Sequence, residues 1–279
     1  MTTTSPPPTD GVHLLRFDRY DRLLHGLLMV CFLGLAMTGL PLLFSDRPWA
    51  GAMARLLGGY GVTGTLHRLF GALLILCFGL HLAPVIHRLL VRRERGILWG
   101  PTSLVPQPQD VVQMFQHFRW FFGLGPRPRF DRYTYWEKFD YLAVFWGMAI
   151  IGTSGLMLSF PRAFSSFLPG RALNVAHVVH GEEALLAMVF IFTVHFFNSH
   201  LRPEKFPMDV VMFTGRVTLD EVRHERPAEY ERLVREGGLE ALRVAPPSRR
   251  ALAWSRAAGA AAVAIGLVMV VLTLRALLQ

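Results

Sequence analysis

Five histidines stand at two matched depths of apolar stretches in this 279-residue chain: His25, His67, His81, His180 and His195. An ionisable side chain in hydrocarbon costs a few kcal/mol or more, so each of them needs a partner. Fourteen residues separate His67 from His81, and fifteen separate His180 from His195. At about 3.6 residues per turn and about 1.5 Å per residue, both intervals are close to four turns, roughly 21 to 23 Å, and each pair falls near one helix face. If the two helices run in the same direction, His67 is level with His180 and His81 with His195. Two facing imidazoles at two depths are what two stacked, bis-histidine b-type haems require, and helical bundles build such sites from facing helices. A lone histidine on an apolar helix is more often hydrogen-bonded to a neighbour, but five at matched depths favour iron. His25, at the inner depth, makes three candidates for two axial positions. Either His25 and His195 hold the inner haem, or His81 ligates and His25 lies near a quinone. The remaining histidines, including His117, His177 and His200, fall at interfaces or in loops and are expected to be structural or solvated.

The elements that must carry these residues are apolar spans. Half of the residues are hydrophobic, too many for a soluble domain of this length. Stretches of about 20 apolar residues are each long enough to cross a bilayer, and five are expected, at Leu23 to Phe44, Leu66 to Ile86, Phe139 to Phe160, Leu173 to Phe197 and Ala251 to Leu274. The expected fold is therefore an all-α integral membrane bundle: a four-helix core for the haems, plus a fifth, C-terminal transmembrane helix rich in small residues, suited to close packing. Gly34, Gly71, Gly152 and Gly181 are small enough to admit a porphyrin plane. Along the chain this gives a disordered polar tail over 1–15, a haem-binding membrane domain over 16–200 with a cytoplasmic loop at 87–138, a charged helical cap over 201–250, and the last span over 251–279.

The net charge of +9 follows the membrane rather than a nucleic acid. Arg16, Arg19 and Arg22, about nine basic residues between spans two and three, and about ten between spans four and five share one side, against about six on the other. By the positive-inside rule the N-terminus is cytoplasmic and, after five spans, the C-terminus is periplasmic, in a bacterial inner membrane. The tail lacks the basic and apolar regions of a secretory signal, so no cleavage is expected. Cys31 and Cys77 fall inside spans and read as small buried hydrophobes. There is no C-x-x-C-H for covalent haem, and no H-E-x-x-H; GGYGVTG lacks the Lys-Ser/Thr of a phosphate loop and is a turn. The amphipathic VVQMFQHFRWFFGLG is expected in the membrane interface, and the alternating charges of LDEVRHERPAEYERLVREGG are expected to form a solvated face.

Taken together, RFDRYDRLLHGLLMVCFLGLAMTGLPLLF, GTLHRLFGALLILCFGLH and the unit from YTYWEKFDY to VTLDEVRHERPAEYERL resemble the cytochrome b subunits of formate dehydrogenase, nickel-iron hydrogenase and thiosulfate reductase. They are most similar to a branch that works with periplasmic multihaem c-type cytochromes. The resemblance covers most of Arg16 to Leu233. It implies two b haems, with His67 and His180 on the outer one and His25 and His195 on the inner one. Fifteen residues between His180 and His195, where the family pattern has fourteen, and the presence of His81 leave the inner pair open. The resemblance also implies quinone chemistry beside the inner haem, near Tyr133, Thr134, Trp136, Glu137, Lys138 and Asp140, a stretch that reads equally as an aromatic and charged interfacial belt. Glu182 and Glu183 are candidates for a proton path or for orienting a haem propionate through Arg171.

The function expected is electron transfer across the membrane, between the quinone pool and a periplasmic partner. That partner would be a multihaem cytochrome c or an iron-sulfur or molybdenum oxidoreductase. The alternative is a haem-free histidine transporter of protons or metal.

Overall fold

Apolar runs with no charged residue for several turns leave the backbone no partner but itself, and in hydrocarbon that selects helices. A computed structural model describes residues 11–278; most of the polar tail lies outside them. Five helices are long and apolar enough to cross a membrane: Arg19–Leu43, Tyr60–Leu90, Tyr135–Ser159, Gly170–Leu201 and Arg249–Leu278. The chain is a multi-pass membrane protein in contact with lipid. Each helix starts two to six residues before the apolar stretch expected there, because the flanking residues continue the same backbone ladder.

The described chain divides into two units. The membrane unit comprises Leu23–Pro84, Ala143–Asp209 and the chain from Arg256. Its core joins the first, fourth and fifth spanning helices through Ala36, Leu40, Met188, Phe192, Phe196, Ala262 and Met269. The small residues of the fifth helix serve this packing: a Cβ at Gly266 would lie 2.8 Å from the Phe192 ring. Helical regularity is broken by π-turns at Met148–Gly152, Ile191–His195 and Phe197–Leu201. Such turns hold one residue more than an α-turn and frequently mark functional sites.

The loop unit comprises the described chain up to Arg22, Val85–Leu142 and Val210–Ser255. Here the all-α expectation needs correction. A three-stranded sheet has the order β2-β1-β3, with β1 His13–Leu15 between β2 Arg216–Thr218 and β3 Arg243–Val244, both antiparallel to it. The tail therefore becomes ordered structure before residue 16, and the expected helical cap is a mixed element. Leu14 points into a small core with Val217, Leu219 and Val222, the alternation a strand imposes. Gly215 turns the chain into β2 at φ +75°, where a Cβ would lie 2.4 Å from the Phe17 carbonyl, so only glycine fits.

The charge run expected to face solvent is also corrected. Glu229 is 3% exposed and accepts both oxygens' worth of hydrogen bonds from Arg16, at 2.9 and 2.7 Å. Arg226 grips Glu137, and Arg232 grips Asp131 at 2.8 Å. Burial, reinforced by Arg226, lowers the Arg16 guanidinium to about 10 against the pull of Glu229, so it stays charged at neutral pH. Asp220 and Arg223 do face solvent. Amphipathic helix Pro108–Phe121 is likewise two-faced: Val111, Phe115 and Phe118 are exposed, while Asp110 and His117 are buried.

Candidate functional site

Within the membrane unit the second and fourth spanning helices bring His67 and His180 ring to ring, with centroids 6.2 Å apart and planes at 84°. Each imidazole is held at one nitrogen from a neighbouring helix. The Thr38 hydroxyl donates to the Gly34 carbonyl at 2.6 Å. With its proton committed, its oxygen accepts from His67 Nδ1 at 3.0 Å. On the third helix the Ser154 hydroxyl donates to the Ile150 carbonyl at 2.7 Å and accepts from His180 Nδ1 at 3.1 Å. The Ile151 carbonyl, inside a π-turn, is also 3.1 Å from that Nδ1 and can only accept. Nδ1 therefore carries the hydrogen, and Nε2 of each ring keeps its lone pair.

This arrangement fits a shared metal. A metal–nitrogen bond of about 2 Å on each side, with about 1 Å from nitrogen to ring centre, puts two imidazoles on one metal about 6 Å apart. Among the described residues no three His, Cys, Asp or Glu converge to hold a bare ion. An axial pair for a macrocycle needs only two.

The glycines singled out from sequence have mixed surroundings. Gly34 is filled by the Phe70 ring, Gly152 and Gly181 face Met148 and Leu43, and Gly71 has open space. A Cβ at Gly39 would stand 3.1 Å from His67 Cε1, and one at Gly155 would stand 3.0 Å from His180 Cε1. His177, three residues before His180 and expected to be structural or solvated, is exposed.

The inner histidines form a looser group in the same unit. His25 lies near His195 and His200, and His200 near His195. His81 packs edge-on against Phe145, 6.5 Å between centroids. His200, expected to be structural or solvated, belongs to this group, and its Nδ1 is buried without a hydrogen-bond partner. The π-turn at Ile191–His195 also accounts for the fifteen-residue interval. One π-turn absorbs about one residue, so fifteen residues from His180 to His195 advance the helix about as far round as the fourteen from His67 to His81. Nothing in the residue types announces that turn.

In the loop unit the Tyr133 to Asp140 stretch is tied to its own surroundings. Thr134 donates from backbone and hydroxyl to Glu137 Oε2, both at 2.7 Å, which caps the third spanning helix. Glu137 receives Arg226 at 2.9 and 3.0 Å, and buried Lys138 donates to Asp110 at 2.9 and 3.0 Å. Tyr133 lies under the guanidinium groups of Arg16 and Arg132. Trp136 stacks on His117, whose Nδ1 is 3.1 Å from the Tyr135 hydroxyl. Asp140 is half-buried. Among the acidic residues of the fourth helix, Glu183 accepts from Trp146 Nε1 at 3.2 Å, and Glu182 and Arg171 are exposed.

No protein-family model and no curated protein matches the chain.

Proposed function

We propose that the chain is a membrane-embedded b-type cytochrome subunit, moving electrons between a periplasmic redox partner and the quinone pool in a bacterial inner membrane. The observation that carries this is the facing of His67 and His180 at 6.2 Å, each held through Nδ1 with Nε2 left to ligate. Those two would hold the outer haem. His195 with His25 would hold the inner one, with His81 as the alternative ligand. When bound, haem supplies reversible one-electron exchange, which no side chain of this chain provides. The chain's own contribution is to fix the two outer rings in one tautomer, hold the half-buried imidazoles on apolar helices and keep the two sites apart along those helices. At the quinone end, Tyr133, Thr134, Trp136, Glu137, Lys138 and Asp140 are the candidates for contact with a ring and its carbonyls, with Thr134, Glu137 and Lys138 also serving in capping and ion pairs. The resemblance to cytochrome b subunits of formate dehydrogenase, hydrogenase and thiosulfate reductase, stated from sequence, supports the same function.

The test is a pyridine haemochrome assay on purified protein, with haem counted per chain. Two haems are expected in the wild type and one in His180→Ala. No haem in the wild type, or two in His180→Ala, would sink the proposal.

A further inference from the structure

The hydrogen bonds on His67 and His180 come from one short pattern used twice. The first spanning helix carries Leu35-Ala36-Met37-Thr38-Gly39-Leu40, and the third carries Ile151-Gly152-Thr153-Ser154-Gly155-Leu156. In each, the backbone of the first residue and the hydroxyl of the fourth meet one imidazole: Leu35 and Thr38 for His67, Ile151 and Ser154 for His180. The glycine at the fifth position lies against Cε1 of the same ring. Positions i, i+3 and i+4 share a helix face, so the three groups form one continuous patch. In both cases the histidine stands on the spanning helix that follows, 29 residues beyond Thr38 and 26 beyond Ser154. Two helix pairs thus repeat one local design around one site. Thr38 and Ser154 are 1% and 4% exposed, so neither hydroxyl is there for solvent.

From this we infer that the two hexapeptides are the positioning elements of the outer site, Thr38 and Ser154 setting the tautomer and basicity of the ligands and Gly39 and Gly155 setting the tilt of their rings. The assignment rests on His67 and His180 being haem ligands. The physical reason is specific. A hydrogen on Nε2 instead would turn the Nδ1 lone pair toward the Ile151 carbonyl, two acceptors facing each other at 3.1 Å. Accepting from Nδ1–H makes the imidazole a stronger donor to iron and favours the oxidised metal; such outer partners typically matter about 10 to 100-fold in metal affinity. A methyl group at Gly39 or Gly155 would press on the carbon beside the ligating nitrogen.

The experiment is a redox titration and a haem-release assay on the full-length holoprotein, comparing wild type with Thr38→Val/Ser154→Ala. The outer haem's midpoint potential should rise and its release should speed up about 10-fold or more, while the inner haem is unchanged. Thr38→Ser, which keeps the hydroxyl, should retain wild-type values. Gly39→Ala should change the low-spin ferric EPR signal, which responds to the angle between the ligand planes. If the double variant fails to fold, Ser154→Ala alone should shift the potential in the same direction by less, since Ile151 remains. A folded variant with two haems, wild-type potentials and wild-type release overturns the assignment and leaves the haem proposal standing. A wild-type chain without haem overturns both.

Discussion

The outer histidine pair and the Tyr133 to Asp140 stretch both place polar groups in buried surroundings, yet they leave those groups in different states. At the outer pair each imidazole is satisfied at one nitrogen and turned toward its counterpart at 6.2 Å. In the loop unit the charged groups answer one another: Glu137 to Arg226, Lys138 to Asp110, Glu229 to Arg16. A buried group paired within the fold offers little to a ligand, whereas one held by half of its valence is prepared for a partner. This contrast separates two regions that look equally functional as sequence.

Three variants test how far the contrast holds. The largest effect is expected from Glu229→Ala, which leaves Arg16 buried without its carboxylate. Losing one partner of such a pair costs about 3–5 kcal/mol, so the melting temperature should fall sharply in a thermal scan. A change within about 0.5 kcal/mol would mean that the loop unit is not held by its ion pairs. A smaller effect is expected from Glu137→Gln, which weakens a charge-assisted bond worth about 1.5–3 kcal/mol but keeps its shape. Lower stability with the visible spectrum preserved marks Glu137 as structural; slower quinol turnover at unchanged stability would assign it to the quinone site. The smallest effect is expected from His81→Ala. With His25 as the proposed partner of His195 on the inner haem, haem per chain should stay at two. Loss of one haem would make His81 the inner ligand.

Much of the architecture can be read locally. The five helices follow from hydropathy alone, because a bilayer demands a run of apolar residues and a run is visible residue by residue. The common depth of His67 and His180 follows from their near four-turn intervals to His81 and His195, because the rise per residue along a helix is nearly constant. His200 escaped the same logic. Its place beside His195 comes through π-turns at Ile191–His195 and Phe197–Leu201, where the α-helical period fails. Thr38 and Ser154 escaped it too, since a hydroxyl bonded to its own helix is ordinary in an apolar span and nothing marks the one that also meets an imidazole.

The loop unit was the least legible. His13–Leu15 becomes a central strand because β2 and β3 supply its hydrogen bonds from more than two hundred residues away. Glu229 reads as surface until Arg16, just as distant, removes it from water. Hydropathy and helical period, acting over a few turns, were enough to specify the spans and the depths of their histidines. Tautomer, ring tilt, strand pairing and the choice between a solvated and a buried charge depend on groups brought together from far along the chain. Those were settled only by the fold, because a hydrogen bond or an ion pair acts over about 3 Å of space and is indifferent to separation in sequence.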